Sequence, residues 1–386
     1  MLPLLPTFGS PATKPPDTMR RLNPPALVLM EYRFAAPDLL ATCATRPLLD
    51  VRSPGEYAQG HVPGAVSFPL FTDAERAAVG TIYKQQSREL ALEKGLELVG
   101  PKLAGFVRTA RTLAPDGQIA VHCWRGGQRS GSVAWLLRQG GLDVLTLEGG
   151  YKAYRHWVLA ELVERRYALI VIGGRTGTGK TKILHALRQL GEQIIDLEGL
   201  ACHKGSAFGF IGERPQPTVE QFENDLHTAL HRLDPARRIW VENESHSIGR
   251  IYIPDGFWRQ MKVATMWNVQ IPLAARLQNL LDDYVGTDRS DLEMAFGKLE
   301  RKLGGQHLKA ALEALQRDDY AAAAEIALYY YDKTYQHGLE NSLSVMLQPI
   351  EFDHGDPMAI ARQLIKDEGA GDRSQESGVG VRSPGS

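Results

Sequence analysis

The sequence predicts an α/β protein of two successive parallel-sheet domains, the second carrying helical additions. Three observations lead there. Short apolar runs alternate with helical stretches in two blocks, one starting at Pro47 and one at Ala168. Glycine pairs punctuate the turns, at Gly126-Gly127, Gly140-Gly141 and Gly149-Gly150. Leu and Ala recur at helical spacing from about Leu273 to Tyr335. Strand–helix alternation of this kind builds parallel sheets covered on both faces.

In the first block, Leu48–Val51, Ala65–Phe68, Ile119–His122 and Val144–Leu147 read as buried strands, and Ser132–Arg138 as a helix. A polar helix, Ala153 to Arg166, leads into the second block. There Ala168–Ile172 is a strand, followed by a glycine-rich turn and a helix through Leu190. Ile194–Asp196, Ile239–Val241 and Val345–Leu347 are further strands. The expected layout is a disordered proline-rich extension over 1–30, a first domain over 31–162 and a second over 163–367. The helical region of the second covers about 273–335, and 368–386, rich in Gly and Ser, forms a disordered tail. The extension carries seven prolines between Pro3 and Pro25 and lacks the unbroken apolar core of a signal peptide. Met19 and Met30 are alternative starts.

With 386 residues the chain has room for two or three domain cores. Its apolar fraction of 43% and charged fraction of 23% are those of a soluble globular protein. A formal net charge of −1 means that any nucleic-acid contact must come from a local basic patch. Lys298, Arg301, Lys302 and Lys309 make one such stretch, and Arg237 and Arg238 another, although charged helix faces are more often simply solvated. Tyr329, Tyr330, Tyr331 and Tyr335 have rings that can stack on bases, but packing aromatics are the commoner case. Three widely spaced cysteines, Cys43, Cys123 and Cys202, form neither a disulfide framework nor a zinc site and point to a reducing cytoplasm. No apolar run is long enough to cross a membrane.

The first chemical motif surrounds Cys123. Cys123, Trp124, Arg125, Gly126, Gly127, Gln128 and Arg129 lie between a predicted strand and a predicted helix. In that position successive backbone N–H groups point at one anion, helped by the helix N-terminus. Gly126 and Gly127 let the loop curl, and the N–H groups with Arg125 and Arg129 favour thiolate at Cys123. A buried structural cysteine is the bland reading. The coincidence of nucleophile, curled loop and arginine argues against it. The assigned roles are catalysis for Cys123 and Arg129, and an anion cradle for the five residues between them. Cys43 and Cys202 have no such setting.

The second motif is Gly174, Arg175, Thr176, Gly177, Thr178, Gly179, Lys180 and Thr181. It satisfies the phosphate-loop pattern G-x-x-x-x-G-K-[ST] between an apolar strand and a helix, the context the pattern requires. Its amides suit a diphosphate, Lys180 adds a point charge, and Thr181 is the metal ligand if Mg²⁺ is used. No tightly bound cofactor is expected. For the acidic partner, Glu242 after Ile239–Val241 is the leading candidate, with Asp196 and Glu198 as rivals. Arg250 is a further candidate for the surroundings of the site, with His203 and Lys204. The motif specifies a diphosphate and not an adenine.

The Cys123 loop resembles that of the rhodanese superfamily and its cysteine-phosphatase relatives. Asp50–Tyr57 and Gly60–Ala65 look like the upstream rhodanese signature, structural and not catalytic. Five residues separate Cys123 from Arg129, the longer phosphatase-like loop, which suits a phosphate-sized ligand. With the second motif this gives a rhodanese-like domain followed by a P-loop NTPase-like domain. The linking segments Asp73–Arg76, Val79–Lys84, Gly149–Arg155, Asp196–Ala201, His203–Gly209 and Glu242–Ser245 resemble the tRNA 2-selenouridine synthases. That resemblance implies a transferase acting on tRNA that carries 2-thiouridine at the wobble position. It implies geranylation of the sulfur by geranyl diphosphate, then replacement by selenium from selenophosphate. Whether Cys123 carries selenium or helps expel the thiol stays open. The competing readings are a sulfurtransferase or phosphatase domain fused to an NTPase or kinase, and a non-enzymatic scaffold. A prenyl diphosphate also needs an apolar groove leading from the glycine turn. The segment after Glu242, with Ile248, Ile251, Tyr252, Ile253, Phe257, Trp258, Met261 and Met266, is the expected lining.

Overall fold

A computed structural model of the chain describes residues 32–284, 286–340 and 347–376. The proline-rich extension expected over 1–30 lies outside them. The first sheet contains β1 (Arg33–Phe34), β2 (Leu48–Asp50), β3 (Val66–Ser67), β4 (Gln118–His122) and β5 (Asp143–Leu147), in the order β1-β5-β4-β2-β3 with every pairing parallel. The second contains β6 (Leu169–Gly173), β7 (Gln193–Ile195) and β8 (Ile239–Glu242). After an antiparallel hairpin of β9 (Ser247–Ile248) and β10 (Ile251–Tyr252), it is completed by β11 (Thr265–Gln270) and β12 (Leu347–Glu351). Its order is β12-β11-β6-β8-β7, again parallel throughout. The α/β class with two parallel sheets is therefore as the alternation of apolar runs predicts. β11 was not expected, and β12 begins at Leu347, with residues 345 and 346 outside the described part.

Alternate strand residues face opposite layers, as the two-residue period of a strand requires. In the first sheet Leu49, Ile119 and Val121 pack under Val133, Ala134 and Leu137 of the helix Gln128–Gln139. Leu48, Ala120 and Leu147 face the other way. In the second sheet Ile170 and Ile172 pack on Ile183, Leu184 and Leu187 of the helix Lys180–Gln189, while Leu169 and Val171 turn to the opposite side. Both of these opposite faces end in one continuous core that belongs to the two sheets together.

The helix Gly150–Glu164 lies in that shared core. It was expected as a polar helix starting near Ala153. Instead Tyr151, Tyr154, Val158 and Leu162 recur at helical spacing and are wholly buried against Phe222, Leu226, Leu230 and Phe257. Polar residues interleave this stripe and hide it from composition. Hydrogen bonds tie the same surfaces. The Tyr151 hydroxyl donates to Glu220 at 2.7 Å, and Arg155 donates to Asn224 at 2.6 Å and pairs with Glu223. Thr218 and Asn224 donate to the carbonyls of Gln59 and His61.

Residues 273–335 form helices, as expected, folded around Phe208, Ile211, Leu292, Phe296, Leu303 and Leu315. The helix Pro357–Glu376 closes the outer face of the second sheet with Ile360, Ala361 and Leu364. It runs past residue 368, where the disordered tail was expected to begin, and residues 377–386 lie outside the described part. Among the described residues no helix is long and apolar enough to cross a membrane.

Candidate active site

Cys123 follows directly from β4, a central strand, and is 3% exposed. The chain then turns through Trp124–Gly127 and enters the helix at Gln128. Gly126 takes φ +63°, and a Cβ there would stand 2.9 Å from the Leu147 carbonyl oxygen, so glycine is required. Gly127 has negative φ and open space around it, so the expected need for glycine holds at only one of the two positions. The loop is clamped from behind, since the N–H groups of Tyr151 and Lys152 donate to the carbonyls of Cys123 and Trp124, each at 2.9 Å. Gly149–Arg155 is thus part of the cysteine site, a role that spacing along the chain gave no means of seeing.

Burial opposes the Cys123 thiolate. The hydroxyl and N–H of Ser130 and the N–H groups of Arg125 and Gly127 outweigh it and hold the thiol below its ordinary value. Ser130 Oγ stands 3.2 Å from Sγ. The expected N–H groups therefore act on the thiolate, while the expected arginine side chains do not. Arg129 turns its guanidinium to Glu56 at 2.7 Å, and Arg125 is exposed and contributes its backbone. Burial also works against the Glu56 carboxylate, yet Arg129, the Ser53 N–H and Arg76 hold it at about 2. Trp124, 37% exposed, leans on Tyr151 and joins Arg52, Ser53, Glu56, Asp73 and Arg76 around an open cleft of about 440 Å³ beside the loop. Gln128 opens the helix and is exposed.

Behind the loop stands a buried ion pair. Arg52 donates to Asp50 through Nε and Nη2, the latter at 2.6 Å, and also to the Gly60 carbonyl at 2.7 Å. Its guanidinium lies 3.8 Å from the centre of the Tyr151 ring. These residues of the upstream signature are structural, as expected. Asp50 pairs in register with His122, the residue before the nucleophile. The other cysteines lack such a cradle: Cys43 is pushed up to about 11 by burial, and Cys202 ends the short helix Leu197–Ala201.

The second motif leaves β6 at Gly173, wraps through Gly174–Gly179 and enters the helix at Lys180. Gly177 at φ +82° would place a Cβ 2.8 Å from the Arg276 carbonyl oxygen. The loop's outer carbonyls are held by the helix Leu273–Tyr284: Arg276 Nε donates to Thr176 at 2.8 Å and Asn279 to Gly177 at 2.9 Å. Arg276 is fixed in turn by Asp332, which also stands 3.7 Å from Arg175. Thr178 is buried beneath the turn. In front lies a cleft of about 500 Å³, lined by Lys180, Thr181, Lys182, Lys204 and Asn279 together with Asp196, Glu198 and Glu244.

The carboxylates come from two chain segments, after β7 and at the end of β8. Thr181 Oγ1 donates to Glu198 at 2.8 Å. Glu242 ends β8 beside the loop's own strand, is wholly buried, and accepts the Glu198 N–H at 3.0 Å. Its second oxygen has no hydrogen-bond partner among the described residues. Burial, with Asp196 nearby, pushes its carboxyl well above the usual range. Glu244, 8% exposed, is pushed up to about 8 by burial and the Glu198 carboxylate, with Lys180 opposing. Glu242 therefore supports the site from behind, while Glu198 and Glu244 face it. Asp196 bonds His185 and the Gly199 N–H, each at 2.7 Å, and caps a helix.

Other expectations are corrected. Arg250 is exposed at the β9–β10 turn and does not line the cleft. Of its companions, Lys204 lines the cleft and His203 does not. The anticipated groove after Glu242 is core: Ile248, Ile251, Ile253, Phe257, Met261 and Met266 are all buried, because this segment fills the layer between the sheets. An apolar cavity does adjoin the phosphate-loop cleft, but the helical region builds it. Leu281, Leu292, Phe296, Leu315, Ala323, Ala324 and Ala327 line it, and Thr176, Ser206, Leu280, Tyr284 and Tyr331 border both spaces. Of the tyrosines, Tyr331 binds the Ala207 N–H and Tyr335 donates to Asn268, so both are packing residues. Arg237 donates to the Gly191 carbonyl and Arg238 pairs with Glu192, which leaves neither as a simple solvated cation.

Fold and sites together define a rhodanese-type thiolate domain welded to a phosphate-loop domain. Comparison with known proteins agrees. Residues 35–156 match the rhodanese-like domain and residues 167–318 the tRNA 2-selenouridine synthase AAA domain. A tRNA 2-selenouridine synthase from Nitrosomonas europaea is 33% identical over 77% of this chain and 90% of its own. One from Bdellovibrio bacteriovorus is 35% identical over 84% and 98%. The chain belongs to the tRNA 2-selenouridine synthase family.

Proposed function

We propose that this protein modifies tRNA bearing 2-thiouridine at the wobble position. It transfers a geranyl group from geranyl diphosphate to the sulfur, then replaces the alkylated sulfur with selenium from selenophosphate. The observation that carries this reading is the apolar cavity adjoining the phosphate-loop cleft. A prenyl diphosphate has one end for each space, its diphosphate for the cleft and its hydrocarbon chain for the cavity walled by Leu, Phe and Ala. In the first step the thiouridine sulfur bonds to the geranyl carbon and the diphosphate leaves. Loop N–H groups and Lys180 meet the charge on that leaving group. Thr181 and Glu198 form a hydroxyl-and-carboxylate pair suited to Mg²⁺, which would neutralise further charge. In the second step the selenium of selenophosphate bonds to the ring carbon, the alkylated sulfur departs as geranyl thiol, and water cleaves the selenium–phosphorus bond to release phosphate. The wide Cys123 loop suits the selenophosphate that delivers it. The setting is the cytoplasm, where tRNA and thiol both persist.

Calorimetric titration tests the assignment. Geranyl diphosphate is expected to bind more tightly than pyrophosphate, with each buried methylene adding about 0.8 kcal/mol. ATP should compete poorly. Tight ATP binding with no preference for geranyl diphosphate over pyrophosphate would favour an NTPase. Two variants sharpen the test. Lys180→Ala removes a charge-assisted contact worth ~1.5–3 kcal/mol, so geranylation should slow about ten- to a hundredfold. Supplying tRNA that is already geranylated should restore selenation in that variant. An unchanged geranylation rate would remove Lys180 from the site. Ala324→Phe fills the apolar cavity from a half-buried position. It should weaken geranyl diphosphate binding and leave pyrophosphate binding as it is. Equal weakening of both would show that the cavity does not take the chain.

A further inference from the structure

One cluster of metal-ligating side chains lies apart from both sites. Glu161 sits on the helix Gly150–Glu164 of the first domain, and His227 and His231 on the helix Val219–His231 of the second. The histidines are four residues apart, so they share one face and lie one turn from each other. Glu161 Oε2 stands 3.1 Å from His227 Nε2 and 3.3 Å from His231 Nδ1. All three donor atoms lie within 4.8 Å of one another.

We infer that Glu161, His227 and His231 form a zinc-class divalent metal site that clamps the two domains together. Geometry supports this first. Zinc holds nitrogen and carboxylate oxygen at about 2.0–2.2 Å, so two ligands of a tetrahedral ion stand roughly 3.3–3.5 Å apart. The two measured separations need little adjustment to meet that edge length. Ligand chemistry agrees, since two imidazoles and one carboxylate suit a transition ion and not Mg²⁺ or Ca²⁺. Surroundings agree as well. Trp157 packs its ring edge-on against both imidazoles, at 4.4 and 5.3 Å between centres, and so fixes their orientation. His227 is 2% exposed, while Glu161 and His231 keep 28% and 27%, which leaves the ion a way in from solvent. A fourth position stays free for water.

One group opposes the ion. Arg165 places Nη1 3.3 Å from His231 Nδ1 and 3.5 Å from Glu161 Oε2. Both contacts are long and its side chain is 24% exposed, so the guanidinium can swing outward. It follows that Arg165 sets the affinity without being a ligand.

The test uses the full chain stripped with a chelator and loaded with Zn²⁺ or Co²⁺ in excess Mg²⁺. Mg²⁺ keeps the oxygen-rich phosphate-loop cleft occupied. One Co²⁺ per chain is expected, with the visible absorption of a tetrahedral nitrogen–oxygen site. Zn²⁺ at a hundred times its Kd should raise Tm by about 3–5 °C. Glu161→Gln and His231→Ala should each abolish the absorption and the Tm rise. Arg165→Gln should tighten binding about tenfold or more, as the loss of a group competing near the ligands predicts. Because that variant gains a function, its result does not depend on whether the ligand variants fold. The inference fails if wild type shows no tetrahedral Co²⁺ band. It fails equally if the band persists in Glu161→Gln, or if Arg165→Gln binds no more tightly than wild type.

Discussion

Cys123→Ala abolishes selenium incorporation, while geranylation of 2-thio-tRNA survives. That is the expected result of nucleoside analysis on tRNA incubated with geranyl diphosphate and selenophosphate. The thiolate is stabilised where no other group could replace it, beneath Ser130 and a turn of N–H groups. Loss of a group that acts at the reacting centre costs about 10³-fold or more. Cys123→Ser should be nearly as damaging, because a hydroxyl in the same cradle stays protonated at neutral pH. Cys43 and Cys202 variants should keep near-normal activity. Selenation at the wild-type rate by Cys123→Ala would end the assignment.

Asp50→Ala should destabilise the protein by ~3–5 kcal/mol, the cost of leaving a buried cation uncompensated. Asp50 and Arg52 are 0% and 1% exposed, so water cannot take over the lost carboxylate. Among the described residues, the Gly60 carbonyl and the Tyr151 ring would remain as partners of the guanidinium. A fall in Tm of roughly 4–7 °C follows, because the two sheets share one core and unfold as a large unit. Chemical denaturation measures it directly. Asp50→Asn keeps one acceptor and should lose less. A change below about 1 kcal/mol for Asp50→Ala would mean that the pair is not buried as described. Activity should fall with stability, since β2 and β4 pair at Asp50 and His122, one residue from the nucleophile.

Much of the fold was legible because buried parallel strands are contiguous apolar runs. Leu48–Asp50, Ile119–Val121 and Ile170–Ile172 announce themselves in this way. β11 did not, because Thr265, Asn268 and Gln270 break the run, and only tertiary pairing with β6 and β12 makes it a strand. Both glycine loops were legible for the same reason of contiguity. Their partners were not. Glu198, Glu242 and Glu244 meet only because two parallel strands end side by side, and nothing local separates them from solvated acids. Arg129 was expected to act on the thiolate because sequence places it near the cysteine, whereas the first turn of its helix points the guanidinium at Glu56. The prenyl groove was sought where large apolar residues crowd. That segment is core, and an apolar cavity stands instead in the helical region, where Ala323, Ala324 and Ala327 line it beside Phe208, Phe296 and Tyr284 and read in sequence as ordinary helix formers.

The core shared by the two sheets bears on how the chain is made. Tyr151, Tyr154, Val158 and Leu162 complete the first domain with an apolar face turned outward. Its cover, from Phe222 to Met266, is translated up to roughly a hundred residues later. At about 5–20 residues per second, the nascent first domain stays uncovered for about 3 to 20 seconds. During that interval it offers chaperones a face that the finished protein never shows. Truncation after the first domain would make that interval permanent, so the isolated half should be recovered from cells as a chaperone-bound or aggregated species.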